Sequence, residues 1–152
     1  MSHRSVKEYC KLDTNGRFKL PNAIKKQFEG ENEPFVIKTS VYSPCLELWT
    51  ASDFDREIEK LTSRLNIYDP NQRRLLRKFQ ESNTVELDAS DRIVIPPEQR
   101  SVLGNGKQLV LQRVGSWIEI WDQESYEKET NSADTDFAAL ALTYLGSELK
   151  AE

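Results

Sequence analysis

The stretch Asp13-Thr-Asn-Gly16-Arg17, closed four residues later by Pro21, returns as Asp88-Ala-Ser-Asp91-Arg92, closed by Pro96. A chain that carries one unit twice is confined to folds made of two like halves, which is the strongest limit this sequence sets on its architecture. Further landmarks keep step. Phe35-Val36-Ile37 answers Leu109-Val110-Leu111, Leu46-Glu47-Leu48-Trp49 answers Ile118-Glu119-Ile120-Trp121, and Phe54 answers Tyr126, the offset drifting from 75 at the loops to 74 and then 72. Small drifts of this kind are single-residue changes in turns.

Each copy reads as strand, charged turn, strand, short helix, strand, strand and the start of a further helix. Val6, Cys10 and Leu12 alternate with Lys7, Tyr9 and Lys11, a period of two that buries one face, with Glu8 interrupting the apolar side. Phe18 and Leu20 continue the apolar face after the turn. Pro21 and Pro97 suit a first helical position, and Gly30 and Gly104 stand where those two-turn helices should stop. About 48 residues with four short strands bury too little apolar surface to stand alone, so the two copies should share one core.

In a chain of 152 residues, this organisation places a first repeat over 5–54, a helical connector over 55–82, a second repeat over 83–126 and an acidic helical segment over 127–152. In the connector Phe54, Ile58, Leu61 and Leu65 form one stripe, and a second helix restarting at Asp69-Pro70 carries Leu75, Leu76 and Phe79, with Ser52 and Asp69 as N-caps. Near the C-terminus, Phe137, Leu140, Ala141, Tyr144 and Leu145 form a stripe expected to pack on the parent domain, with a subunit contact as the other reading. Leu46, Leu48, Ile118 and Ile120, with Trp49 and Trp121, read as core.

No apolar run reaches the roughly 20 residues that span a bilayer, and the N-terminus lacks a signal-peptide core, so the chain reads as soluble and cytoplasmic. Cys10 and Cys45 fall in strand patterns without metal or disulfide spacing and read as small core residues. The net charge of −4 argues against general stickiness to nucleic acid, but its distribution is uneven. Residues 1–28 carry seven bases against two acids, a net +5, and residues 119–152 carry nine acids against two bases, a net −7. A basic front and an acidic tail make a directional field.

Catalysis needs a nucleophile or metal beside a tuned base, and the lone histidine, His3, sits at the terminus. The carboxylates lie on expected helix surfaces, and Gly-rich phosphate loops are absent. The sequence therefore reads as a non-enzyme with no cofactor and no metal. Its strongest candidates are the Asp-x-x-x-Arg loops. In one reading Asp13 merely accepts bonds from its own turn and is neutralised by a nearby arginine. In the other, its charge also orients Arg17 toward a phosphate or a guanine edge. Lys7 and Lys11 share the outward face of the first strand, and Arg17 and Lys19 that of the next, so the pair reads as a hairpin with one basic face. Such a ribbon fits a major groove, where arginine pairs with guanine and lysines hold phosphates; a solvated strand face is the bland alternative.

The segments Leu12-Asp13-Thr-Asn-Gly16-Arg17-Phe18-Lys-Leu20-Pro21 and Leu87-Asp88-Ala-Ser-Asp91-Arg92-Ile93-Val-Ile95-Pro96 resemble the MraZ family of the SpoVT-AbrB superfamily. Leu46-Glu-Leu-Trp49, Asp69-Pro-Asn-Gln-Arg73-Arg74 and Val110-Leu-Gln-Arg-Val114 through Ile118-Glu-Ile-Trp121 extend the likeness over roughly residues 5–130. The resemblance implies an α+β fold with a mostly β core: two tandem swapped-hairpin repeats (double-split β-barrel, SpoVT-AbrB-like) with inserted and C-terminal helices. It also implies a bacterial, nucleoid-associated regulator of the division and cell-wall gene cluster, binding repeated promoter sites on double-stranded DNA as a ring-like homo-oligomer. By position, Arg17 and Arg92 match the motif arginines and Asp13 and Asp88 the motif aspartates. Arg4, Lys7, Lys11 and Lys19 complete the expected DNA-binding set.

Asn15 stands where the family often has lysine, and Asp91 replaces the glycine expected before the second arginine, adding negative charge there. The first loop is accordingly expected to read DNA and the second to be partly structural. A second function reading, an antitoxin-like or scaffold module whose acidic C-terminal segment wraps a basic protein, rests on the −7 tail.

Overall fold

A computed structural model describes residues 4–28, 33–104, 106–131 and 133–150; the expectations for His3 and Gly30 lie outside them. Among the described residues, eight strands divide between two antiparallel sheets. β1 (Lys7–Lys11), β3 (Phe35–Thr39), β4 (Leu46–Thr50), β5 (Asn83–Val85), β7 (Gln108–Val114) and β8 (Trp117–Asp122) form a six-stranded sheet in the order β1-β7-β8-β4-β3-β5, and β2 (Arg17–Lys19) pairs with β6 (Arg92–Val94) in a ribbon. Exchanging the two repeats turns this order into its own reverse. The sheet thus has an internal twofold, and its centre is the β4–β8 pair, where Glu47 faces Glu119.

The first strand of each repeat pairs with the third strand of the other: β1 with β7, and β5 with β3. The expected β1–β2 hairpin is therefore corrected. Asp13 N–H reaches Arg17 C=O at 2.8 Å and closes the turn, but β2 then leaves β1 and pairs with β6, Phe18 opposite Ile93. Alternation specifies which face of a strand is buried and says nothing about which strand lies beside it.

One core joins the halves. Phe18, Leu20, Ile24, Ile37, Leu46 and Leu48 of the first repeat meet Ile93, Ile95, Leu109, Leu111, Ile118 and Ile120 of the second, all at most 1% exposed. Burying each such side chain contributes about 1.5–3 kcal/mol. Neither repeat holds that interior alone.

Two short helices, α1 (Asn22–Lys25) and α4 (Pro97–Arg100), each run on into a 3-10 turn, giving the two turns expected. Pro97 is the first helical residue, but Pro21, like Pro96, is the residue before the helix. Gly104 ends the second at φ +60°, a left-handed value that costs glycine little. The connector holds α2 (Ala51–Arg64) and α3 (Pro70–Gln80). Asp69 caps α3, accepting from Gln72 N–H, whereas the cap of α2 is Thr50, accepting from Asp53 N–H. Ser52 already lies inside that helix, and its amide bonds to Glu33.

These helices cover half of the sheet's outer face through Phe54, Leu76 and Phe79. On the other half α5 (Gln123–Thr130) sets Tyr126 edge-on against Trp121, ring centroids 6.1 Å apart. With that strip closed, α6 (Phe137–Lys150) has no apolar seat: Phe137, Leu140, Tyr144 and Leu145 are 44–79% exposed. The expectation that this stripe packs on the parent domain is overturned. No described helix is long and apolar enough to cross a membrane.

Candidate nucleic-acid interface

Strand exchange brings the two charged loops together. In each, the aspartate side chain folds back on its own turn: Asp13 Oδ1 accepts from the amides of Asn15 (2.9 Å) and Arg17 (2.8 Å), and Asp88 Oδ1 from those of Ser90 (2.8 Å) and Arg92 (3.0 Å). The Arg17 amide chiefly holds the Asp13 carboxyl below the usual carboxylate range, with the Asn15 amide helping against partial desolvation. For Asp88 the amide of Arg92 does most, then that of Ser90. Hydrogen bonds to the charged form favour it.

The aspartate's remaining oxygen does not serve its own loop. Asp13 Oδ2 lies 3.6 Å from Arg92 Nη1, across the boundary between repeats. Arg17 gives Asp13 its backbone amide, and its exposed side chain makes no hydrogen bond or close ion pair to the described residues, while its charge still helps to lower the Asp13 carboxyl.

The short helices brace the loops reciprocally. Arg100, at the end of α4, donates from Nε to Ile95 C=O (2.7 Å) and from Nη2 to Asn15 C=O (3.1 Å), its guanidinium lying where a Cβ on Gly16 would stand. Its counterpart in the first repeat, Lys25, donates to Asp91 Oδ1 at 2.9 Å. Asp91 has φ +60° and Gly16 φ +77°, so both turns use the left-handed conformation that strains any residue except glycine. The negative charge that Asp91 adds is answered by Lys25. No spacing in the sequence announces these cross-repeat braces; the alignment of Lys25 with Arg100 at the same offset as the loops was the available signal.

Lys11, Asp13, Arg17, Lys19 and Arg92, with Cys10, line one open cleft of about 250 Å³. On the ribbon's outer side Lys19 faces Arg92 and Arg17 faces Val94, while Phe18 and Ile93 point into the core. Four bases against one carboxylate, itself tied down by amides, make an anion-attracting surface. Two expected residues fall elsewhere. Lys7 Nζ sits over the rings of Tyr9 (5.7 Å) and Tyr126 (5.6 Å), and the exposed Arg4 precedes β1; neither lines the cleft. Asp88 also stands outside the lining. The second repeat has Ser82, Glu86 and Val94 where the first has Lys7, Lys11 and Lys19, so the basic face comes mainly from the first. Among the described residues no cluster of ligating side chains is suited to a metal ion.

These features define a class: duplicated α+β proteins whose repeats exchange strands and gather two Asp-x-x-x-Arg loops at one basic cleft. The family model described as "MraZ protein, putative antitoxin-like" matches the chain twice, over residues 7–78 and 79–145. The chain is 35% identical over 140 residues to a "Transcriptional regulator MraZ" of Flavobacterium psychrophilum, covering 91% of this chain and 88% of that protein. It is 33% identical over 141 residues to the protein of that name from Christiangramia forsetii, covering 91% and 90%. The chain belongs to the MraZ family.

Proposed function

We propose that this chain is a sequence-specific DNA-binding regulator of transcription, acting in the cytoplasm at the nucleoid on the division and cell-wall gene cluster. Arg17 reads a base edge, and Lys11, Lys19 and Arg92 hold phosphates. The observation that carries the reading is the exposed Arg17 guanidinium, without a hydrogen-bond or ion-pair partner among the described residues, in a cleft with three further bases. An arginine so placed has its donors available for the paired acceptors of guanine. The relatives' shared name, transcriptional regulator, supports the same reading.

The ribbon and sheet, with their exchanged strands, constitute in this reading the swapped-hairpin barrel of the superfamily, and several chains assemble into a ring that engages repeated promoter sites. The apolar side chains left uncovered on α6 support self-association. Repetition offsets weak single contacts. Lys7, Arg4 and Asp88 then belong to the outer margin of the interface.

The test is a gel shift on the DNA upstream of the chain's own gene across a salt series. Each phosphate neutralised contributes about −0.9 to the slope of log affinity against log salt, so a slope of several units is expected and a flat one overturns the proposal. A protein-binding, antitoxin-like role is the second reading, favoured by the acidic C-terminal segment beside the uncovered face of α6. Removing residues 131–152 should then abolish capture of a basic protein partner and leave DNA affinity intact.

A further inference from the structure

From Phe137 to Gly146 no residue of α6 carries a charge. Within this stretch Ala141 and Gly146 are half-buried and the other side chains are exposed. Phe137, Leu140, Leu142, Tyr144 and Leu145 stand at 44–79% exposure. At about 3.6 residues per turn they sweep more than half of the helix circumference. A helix apolar over so much of its surface belongs against another element, and this chain offers it none.

A second uncovered apolar area lies at the elbow between α2 and α3. Ile67 and Tyr68, in the link, are 42% and 85% exposed, and Leu75, in the second turn of α3, is 42% exposed. The elbow is held in shape by its own hydrogen bonds. Gln72 Oε1 accepts from Asn66 N–H (2.8 Å), and Arg73 Nη1 donates to Ile67 C=O (3.1 Å). Around it α3 is basic: Arg73, Arg74, Arg77 and Lys78 are exposed, and the helix contains no acid. Of these four bases only Lys78 is in an ion pair among the described residues, with Glu81 at 3.4 Å. The segment that carries α6 has the opposite charge. Residues 119–152 have a net charge of −7, and Glu124, Glu127 and Glu129 of α5 are exposed.

From these two surfaces we infer that α6 of one copy seats on the α2–α3 elbow of a second copy. The inference rests on the self-association proposed for this chain and names the surfaces that make it. Apolar side chains of α6 and the elbow form the centre of the contact, and the bases of α3 face the acids of the α5–α6 segment at its rim. Charge favours this pairing over two α6 helices meeting, which would bring two segments of −7 together. Seat and occupant are different patches of one chain, so the contact is head-to-tail, each copy giving one α6 and receiving one. Neither patch contains a residue that lines the basic cleft.

The experiment follows two full-length variants by analytical ultracentrifugation. Tyr68→Lys with Leu75→Lys blocks the seat and keeps α6, whereas Leu140→Lys with Leu145→Lys spoils α6 and keeps the seat. All four side chains are at least 42% exposed, so the fold should be retained. At a concentration where the native chain is assembled, each variant alone should be a monomer. Their equimolar mixture should form pairs and nothing larger, since one intact junction remains. Either variant assembling like the native chain, or a mixture that stays monomeric, overturns the inference and leaves self-association standing. A native chain that is itself monomeric removes both. Hydrogen exchange on the native chain keeps the test decisive if a variant misfolds: amides of 66–78 and 137–146 should both gain protection between dilute and assembled protein, and a gain in one segment alone overturns the inference. None of these readouts depends on DNA binding.

Discussion

Arg92 Nη1 stands 3.6 Å from Asp13 Oδ2, so the arginine of the second loop joins Arg17 in facing the aspartate of the first with positive charge. Arg17 makes no such close pair with a described residue, and the two arginines take different parts. Arg17→Ala should cost on the order of 1–3 kcal/mol of DNA binding per engaged subunit and relax discrimination at one base. Arg92→Ala should cost less, without a change in base preference. Binding isotherms on matched and single-base-changed sites decide; an equal or larger loss from Arg92→Ala reverses the assignment.

Gly16 and Asp91 occupy equivalent positions but should respond unequally to substitution. Gly16→Ala places a Cβ 2.0 Å from Arg100 Cζ in a backbone at φ +77°. The left-handed conformation alone costs roughly 1–2 kcal/mol, so the urea midpoint should fall clearly. Asp91→Gly relieves the same strain while losing a partly exposed ion pair to Lys25, and its unfolding free energy should change by about 1 kcal/mol or less.

Acid should loosen the loops in a defined range. Asp13 and Asp88 both titrate below their ordinary value of 3.8 because backbone amides bind the charged form. A carboxyl depressed on folding contributes stability that is complete above its unfolded pKa and is lost as pH falls through the folded one. Denaturation midpoints should therefore drop on acidification past pH 3.8, and the Asp13→Asn, Asp88→Asn double variant should show a shallower decline.

Cys10 and Cys45 are free, and burial pushes both thiols up to about 12, with Glu8 adding to the effect on Cys10 and Glu119 and Glu47 on Cys45. Since the thiolate is the reactive species, alkylation by iodoacetamide at pH 8 should run orders of magnitude more slowly than in the urea-unfolded chain. Labelling rates followed by intact mass check this. Rapid labelling of Cys45 in the native protein would contradict its burial.

Truncation before Phe137 removes the uncovered side chains of α6 and leaves every strand in place. If α6 joins subunits, sedimentation should show a smaller particle while the far-ultraviolet spectrum keeps its strand contribution. An unchanged particle mass would put the subunit contacts elsewhere.

Much of the fold was legible because each repeat obeys simple periodicities. Phe18 between Arg17 and Lys19 marked the ribbon's buried side, and Asp69-Pro70 marked the start of α3. Strand partnership was not legible, since β1 would show the same alternation beside β2 as beside β7. The Asp13–Arg92 pair was hidden for the same reason, and so were the braces from Lys25 and Arg100. Thr50 replaced Ser52 as the cap of α2 because β4 runs directly into the helix, an adjacency that composition does not reveal. The stripe on α6 was expected to pack on the parent domain, but periodicity cannot tell whether a seat exists for it. At the cleft, Lys11, Arg17 and Lys19 lie near one another beside Asp13, but the arrival of Arg92 from the second loop was not expected, and Lys7 went to an aromatic cradle.

The trade of β1 for β5 between halves makes the polypeptide a dimer fused through its connector. Gene fission within the exposed link between α2 and α3 would yield two fragments, each lacking a strand that only the other supplies. Separately they would remain unfolded or aggregate; co-expressed, they should recombine into the parent architecture. The connector thus governs the local concentration of two complementary pieces, and lengthening it would open a route to exchange between neighbouring chains.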